Sequence, residues 1–233
     1  MTVNTIGIIG AMDEEIDLIK RNITMTQAID RAGCLFLEGK IGKKNVVVVK
    51  SGIGKVNAAM CAQILIDVFK VEAIINTGVG GSIAKDLAIG DVVISSDALH
   101  HDFDCSPLGD PIGVIPRLKE SIFKADENLV QAAYNASVST ILGKTKIGRI
   151  VSGDQFIADD STKEMLCIIF KGDCAEMEGA AIAQVCYLNK VPFVIIRNIS
   201  DSADSKADIT FGEFAKTAAE YSGRIVLEML KNL

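Results

Sequence analysis

The sequence predicts an α/β fold of three layers, a mixed and twisted central sheet flanked by helices, in one domain over residues 1–233. Three observations predict it. Runs such as "TIGIIG", "AIINTG" and "PFVIIRNIS" are β-branched and apolar without alternation, which marks strands buried on both faces. Segments with apolar residues at helical spacing lie between those runs. Hydrophobic residues make up 49% of a 233-residue chain, enough for a sizeable core.

In chain order, the first strand is 5–10. The stretch "CLFLEGKIGKKNVVVVKS" (34–51) reads as two strands around a Gly-Lys turn, which brings antiparallel pairing into the sheet. "KVNAAMCAQILIDVF" (55–69) has helical spacing, and strands follow at 73–78 and 91–99. The next stretch, "HHDFDCSPLGDPIGVIPRLKE" (100–120), holds three of the four prolines and is expected to be a loop beside a site or an interface. "ADENLVQAAYNASV" (125–138) reads as a helix with acids in its early turns, where the helix dipole favours them. Strands at 146–152 and 172–177 lead to an alanine-rich helix, 178–190, that ends before Pro192. A strand over 192–200 and a long amphipathic helix over 210–233 follow, with Thr210 and Glu213 spaced as a capping box. No linker divides the chain, and no repeat is visible.

Composition narrows the function. The formal charge is −6 and the pI about 5.0, so the surface repels nucleic acid at long range. Without tryptophan and with 5% aromatic residues, stacking platforms for single strands are not expected. "MTVNTIGIIGAMDEE" lacks the basic start of a signal peptide, and no apolar run reaches the roughly 18 residues a membrane span needs, so neither export nor a membrane partner is expected. The six cysteines form no CxxC pair and sit mostly among apolar neighbours, as free buried thiols of a cytoplasmic protein do.

Two glycine motifs resemble nucleotide loops and fail on spacing. "KSGIGKVNAA" (50–59) has Val49 where a P-loop needs its first glycine, and Val56 where it needs the hydroxyl that holds magnesium. "NTGVGGSIAKDLAIGD" (76–91) has Ile83 in the third glycine slot of a dinucleotide fingerprint. What remains is either a plain tight turn or a loop that lets backbone approach a flat, sugar-like ligand. No cofactor is expected.

Carboxylates gather at predicted strand ends, where open α/β sheets bind ligands. They are Asp13, Glu14 and Glu15; Asp154; Glu176 and Glu178; and Asp201. Each has a plainer reading. Asp13 and Glu14 suit a solvated helix start, and Asp201 and Glu178 suit turn or helix caps. Phe156 is core by residue type as readily as it is a stacking ring. Extended backbone at "AEMEG" would turn Glu176 and Glu178 to one side. His100 and His101 stand beside Asp102, Asp104 and Cys105. Adjacent histidines share one tetrahedral ion only with distortion, and the chain has no third histidine, so no metal site is expected.

Taken together, "GIIGAMDEE", "SGIGKVNAA", "INTGVGGSIA", "VSGDQFI", "AEMEGAAIAQVC", "VPFVIIRNISDSAD" and "TFGEF" closely resemble the 5′-methylthioadenosine/S-adenosylhomocysteine nucleosidases of the nucleoside phosphorylase superfamily. The matching pieces run in family order over nearly the whole chain. The resemblance implies a nucleoside phosphorylase-like domain and a homodimer with loop 100–115 near the neighbouring pocket. It implies hydrolysis of the N-glycosidic bond of 5′-substituted adenosines, 5′-deoxyadenosine among them, without a cofactor, in methionine salvage and the recycling of S-adenosylmethionine by-products. Carried onto this chain, Glu15 resembles the residue that activates water and Asp201 the acid that serves purine N7. Glu178 resembles the carboxylate on the ribose hydroxyls. Phe156 resembles the ring stacked on adenine, beside the backbone of Ile157. Met12 and Met177 resemble sugar-side packing and Phe211 part of the 5′ pocket, with Ile53, Glu176 and Ala203 as further substrate-binding positions.

The chemistry suits these residue types. Adenine leaves more readily once N7 is protonated, and the sugar left behind resembles an oxocarbenium ion that carboxylates stabilise. Glu15 must then be ionised while Asp201 holds a proton, states that different surroundings can set. A phosphorolytic enzyme would instead need to hold phosphate beside the anomeric carbon. Two like charges at about 4 Å repel by roughly 4 kcal/mol at an effective dielectric near 20, about three orders of magnitude in affinity, so acids here favour water. A purine nucleoside phosphorylase, an aminodeoxyfutalosine nucleosidase and a nucleoside sensor without turnover are the alternatives.

The sequence departs from the family at two places. Val79 stands where many members have a serine that helps the purine-side aspartate, so Ser200, Ser202 or backbone is expected to orient Asp201 instead. The 100–115 loop offers Cys105, Leu108 and Asp110 toward the 5′ group, which leaves the choice among 5′ substituents open.

Overall fold

The computed structural model describes residues 3–204 and 206–233. The chain runs β1 (Thr5–Gly10), α1 (Asp13–Asn22), β2 (Thr24–Arg31), β3 (Cys34–Ile41), β4 (Lys44–Lys50), α2 (Lys55–Asp67), β5 (Ala73–Ser82), β6 (Val92–His100), β7 (Phe123–Lys124) and α3 (Glu127–Thr140). It continues through β8 (Thr145–Ser152), α4 (Asp160–Phe170), β9 (Cys174–Glu176), α5 (Gly179–Asn189), β10 (Phe193–Asp201) and α6 (Ala207–Asn232). These strands form one mixed sheet in the order β10-β6-β8-β9-β5-β1-β4-β3-β2, with β7 on β6. Because β10 also pairs in parallel with β5, the strands β5, β10, β6, β8 and β9 close on themselves. The remaining strands splay out from β1.

The unalternating strands have a direct cause. Ile6, Ile8, Val46, Val48, Ile75, Val194 and Ile196 pack with Ile16 and Ile19 of α1, Leu129 and Ala133 of α3, and Ile225, Val226 and Met229 of α6. Their neighbours Ile9, Val47, Val49, Ile74, Phe193 and Ile195 point the other way, onto Ala58, Cys61 and Leu65 of α2 and Ala180, Ile182 and Cys186 of α5. Each strand therefore sits between two apolar layers.

Several elements differ from the sequence reading. β5 continues to Ser82 instead of stopping near 78, so Gly78, Gly80 and Gly81 belong to a strand. They are small for close approach. A Cβ on Gly78 would strike the Glu15 carboxylate and Arg197, one on Gly80 the Cys174 thiol, and one on Gly81 Asp201. β2 is an exposed edge strand, with no apolar alternation to announce it. α4 starts behind Asp159, which accepts the Thr162 N–H. The last helix begins at Ala207, and Thr210 lies inside it, where its hydroxyl donates back to the carbonyls of Lys206 and Ala207 in place of a cap. His100 still belongs to β6, and from 101 to 120 the chain is irregular apart from one 3-10 turn at Ser106–Leu108. Among the described residues no helix is long and apolar enough to cross a membrane.

Candidate active site

The carboxyl ends of β1, β5, β8, β9 and β10 surround a cavity of about 370 Å³, within the size range of small-molecule sites. Met12, Glu15, Ile53, Phe156, Ile157, Glu176, Met177, Glu178, Asp201, Ala203 and Phe211 all line it, whereas Asp13, Glu14 and Asp154 do not. Loop 100–115 of the same chain does not line it.

The "DEE" triplet divides by exposure within one helical turn. Asp13 and Glu14 face solvent, and Asp13 pairs with Lys20 and Lys50. Glu15 turns inward and is buried. Its Oε2 accepts the N–H groups of Ala11 (2.6 Å) and Met12 (3.0 Å), and its Oε1 accepts the N–H of Val79 from β5 (3.0 Å). Burial pushes its pKa above the ordinary value, while Arg197 and the backbone donors pull the other way. A held, partly desolvated carboxylate of raised pKa is a stronger base than a free one.

Below Glu15 lies a charge that no motif announced. Arg197 sits in the middle of the apolar β10 and is 1% exposed. Its guanidinium forms an ion pair with Glu176, donates to Asn76 Oδ1 at 2.8 Å, and stands 3.6 Å from Glu178 Oε2. Glu176 also accepts from the Ser152 hydroxyl and from the N–H groups of Gly179 (2.9 Å) and Glu178 (3.2 Å), so it caps α5. Burial alone would raise Glu176, but the Arg197 charge and these donors hold it below the usual value. The one signal in the sequence is the charge itself, a lone arginine inside "PFVIIRNIS". Arg197→Met should lower unfolding free energy by about 3–5 kcal/mol, because it strands buried carboxylates, whereas Arg197→Lys should cost less. Urea unfolding of the two variants checks this.

Glu178 behaves differently. Its backbone (φ −132°, ψ −37°) is not extended, contrary to the strand geometry read from "AEMEG", and its side chain makes no cap bond to α5. It reaches across to accept the Gly54 N–H at 2.9 Å. Burial and the neighbouring Glu176 push its pKa up to about 8. Such a carboxyl is mostly protonated at neutral pH, so it can both donate hydrogen bonds to hydroxyl groups and accept them.

Asp201, at the end of β10, is also buried. Ser200 Oγ lies 2.9 Å from its Oδ2, and the Ala203 N–H donates to Oδ1 at 2.8 Å. Ala203 takes a left-handed conformation (φ 49°) to do so. Ser82, three residues beyond Val79, bonds the carbonyls of Ala84 and Leu87 instead. Burial pushes Asp201 above the ordinary carboxyl value, against Ala203 and Ser200. Across the cavity Phe156 and Phe211 meet edge to face at 5.5 Å. Phe156 stays 48% exposed and Ile53 54%, so the apolar rim is open on one side. Phe156 is therefore no core residue.

The two histidines turn inward and are buried. Burial lowers both pKa values, and His100 Nε2 bonds Gln184 Oε1 at 3.0 Å. Among the described residues no group of three His, Cys, Asp or Glu is placed to hold a metal ion.

A closed mixed sheet with carboxyl groups and an aromatic wall at its strand ends is the framework of a small-molecule enzyme acting on a flat, hydroxylated substrate. Residues 5–231 match the model of the phosphorylase superfamily. The 5′-methylthioadenosine/S-adenosylhomocysteine nucleosidase of Staphylococcus carnosus is 45% identical over 98% of this chain and 100% of its own. The Neisseria meningitidis enzyme of the same name, solved with methylthio-immucillin-A, superposes with a TM-score of 0.95 at 40% identity, over 99% of this chain and 100% of that one. A futalosine hydrolase of Helicobacter pylori superposes with a TM-score of 0.93 at 35% identity, over 99% of each chain. This chain belongs to the phosphorylase superfamily and, within it, to the 5′-methylthioadenosine/S-adenosylhomocysteine nucleosidases.

Proposed function

We propose that the protein hydrolyses the N-glycosidic bond of 5′-methylthioadenosine and S-adenosylhomocysteine, releasing adenine, as one nucleosidase domain over 1–233. One observation carries the choice of water over phosphate. The cavity wall holds four carboxyl groups, Glu15, Glu176, Glu178 and Asp201, and no lysine, arginine or histidine among the described residues. Arg197 is buried beneath and already paired with Glu176, and Lys163 is turned to the Ser202 carbonyl. An anionic nucleophile would meet the charge of ionised Glu15 and no cation on the wall, whereas a neutral water meets a base.

In this reading adenine packs on Phe156, with N7 at Asp201. The Asp201 carboxyl donates its proton as the glycosidic bond lengthens. Glu178 takes the ribose hydroxyls, and the carboxylates on the wall stabilise the positive sugar. Glu15 removes a proton from the attacking water. In the same reading the protein is a homodimer, and the 100–115 loop, which carries the exposed Leu108, closes the open rim of the neighbouring pocket. Free thiols, buried at Cys61, Cys174 and Cys186, support a reducing, cytoplasmic setting.

Adenine release should proceed in phosphate-free buffer with 5′-methylthioadenosine, S-adenosylhomocysteine and 5′-deoxyadenosine. A strict phosphate requirement would overturn the hydrolytic reading, and tight binding without adenine release would favour a sensor. Aminodeoxyfutalosine belongs in the same assay, since Cys105, Leu108 and Asp110 of the 100–115 loop leave the choice among 5′ substituents open.

A further inference from the structure

Two pieces of sequence play no part in the chemistry above, the lysine of "SGIGK" and the acid of "HHD". The fold joins them. Lys55 Nζ donates to Asp102 Oδ1 at 2.6 Å, with the side chains only 21% and 16% exposed. The second oxygen of Asp102 accepts the Asp154 N–H at 2.9 Å. Asp154 Oδ1 in turn accepts the backbone N–H of Lys55 at 2.8 Å. Three residues from three places, the start of α2, the end of β6 and the loop after β8, thus close a ring of hydrogen bonds.

The surrounding backbone is built for this approach. A Cβ on Gly153 would collide with the His101 ring and come within 3.1 Å of the Asp102 carboxyl carbon. Gly54 has φ +99°, and a Cβ there would lie 3.1 Å from Asp154 Oδ1. The ring adjoins the binding groups through the chain. Gly54, next to Lys55, gives its N–H to Glu178, and Asp154 stands two residues before Phe156. By contrast, the hydrogen bonds of Glu15 and Asp201 come from Ala11, Met12, Val79, Ser200 and Ala203, none of them in the ring.

We propose that Lys55, Asp102 and Asp154 form a positioning clamp that sets the Phe156 ring and the Glu178 carboxyl, and so governs how well substrate binds and not how fast its bond breaks. The proposal deepens the nucleosidase reading and rests on it. Steady-state kinetics with 5′-methylthioadenosine test it on Lys55→Met, Asp102→Asn and the double variant. Each single change should raise KM roughly tenfold and leave kcat within about threefold, and the double change should raise KM no further, because both remove one interaction. Lys55→Arg should recover most of the loss, which general loosening of the fold would not allow.

An unchanged KM, a kcat that falls at constant KM, or a double effect equal to the product of the single effects would each overturn the clamp. Should Lys55→Met not fold, Asp102→Asn alone carries the test, since its amide oxygen still accepts the Asp154 N–H. Should the wild-type chain release no adenine, the nucleosidase reading fails separately. The clamp is then read by calorimetry, where 5′-methylthioadenosine must bind roughly tenfold more weakly to the variants.

Discussion

Asp201→Asn should lower kcat for adenine release by roughly 10²–10⁴-fold while 5′-methylthioadenosine still binds. The amide keeps the shape of the carboxyl. Its oxygen can still accept the Ala203 N–H, and its far end can still bond the Ser200 hydroxyl. Phe156 and Phe211, which form the apolar wall, are untouched. What disappears is a transferable proton, so KM should move by no more than a few-fold and the loss should fall on kcat. The wild-type residue suits this work because burial raises its pKa, so its proton is held at a pH where a solvated aspartate would have lost it. Above that pKa the wild-type rate should fall, and the variant should lose this alkaline limb. Adenine release measured across pH, with calorimetry for binding, checks both. A kcat near that of wild type would remove Asp201 from the role of acid.

Much of this site is legible in the sequence because its residues stand at the ends of strands that the sequence marks clearly. "TIGIIG" and "PFVIIRNIS" are unmistakable as buried strands, and the acids that follow them must lie at the same edge of a parallel sheet. What the sequence hides is pairing across the sheet. Arg197 reads as an interruption of β10 until β9 brings Glu176 beside it. Gly80 and Gly81 read as a tight turn or a loop for ligand approach, whereas they continue β5, and the small size of Gly78 and Gly81 admits the carboxylates of Glu15 and Asp201. Val79 reads as a lost hydroxyl, yet its backbone N–H holds Glu15. Lys55 and Asp102 are 47 residues apart, and nothing local predicts their meeting. β2 escaped for the opposite reason. It is an edge strand with little buried apolar surface, so it lacks the pattern from which strands are read.

Glu15→Gln should also lower kcat by roughly 10²–10⁴-fold, and it carries a structural cost that Asp201→Asn does not. The native carboxylate is an acceptor at both oxygens, two N–H groups on Oε2 and one on Oε1. Glutamine has one acceptor oxygen. If that oxygen faces Ala11 and Met12, the amide nitrogen must face the Val79 N–H, donor against donor. Leaving that buried N–H unpaired costs about 1–3 kcal/mol, which should appear as a lower unfolding midpoint. The activity loss can be told apart from this through pH. In the wild type, Glu15 acts only when ionised, so the rate should fall as pH drops through its pKa. Burial raises that pKa, so this acid limb should lie above the ordinary glutamate value of 4.5. The variant has no group to protonate there, and its residual rate should be flat over the same range. Rate profiles collected at a temperature where both proteins are folded, with adenine binding as the control for an intact pocket, decide the matter. If the variant keeps the acid limb or most of its kcat, the base is another group.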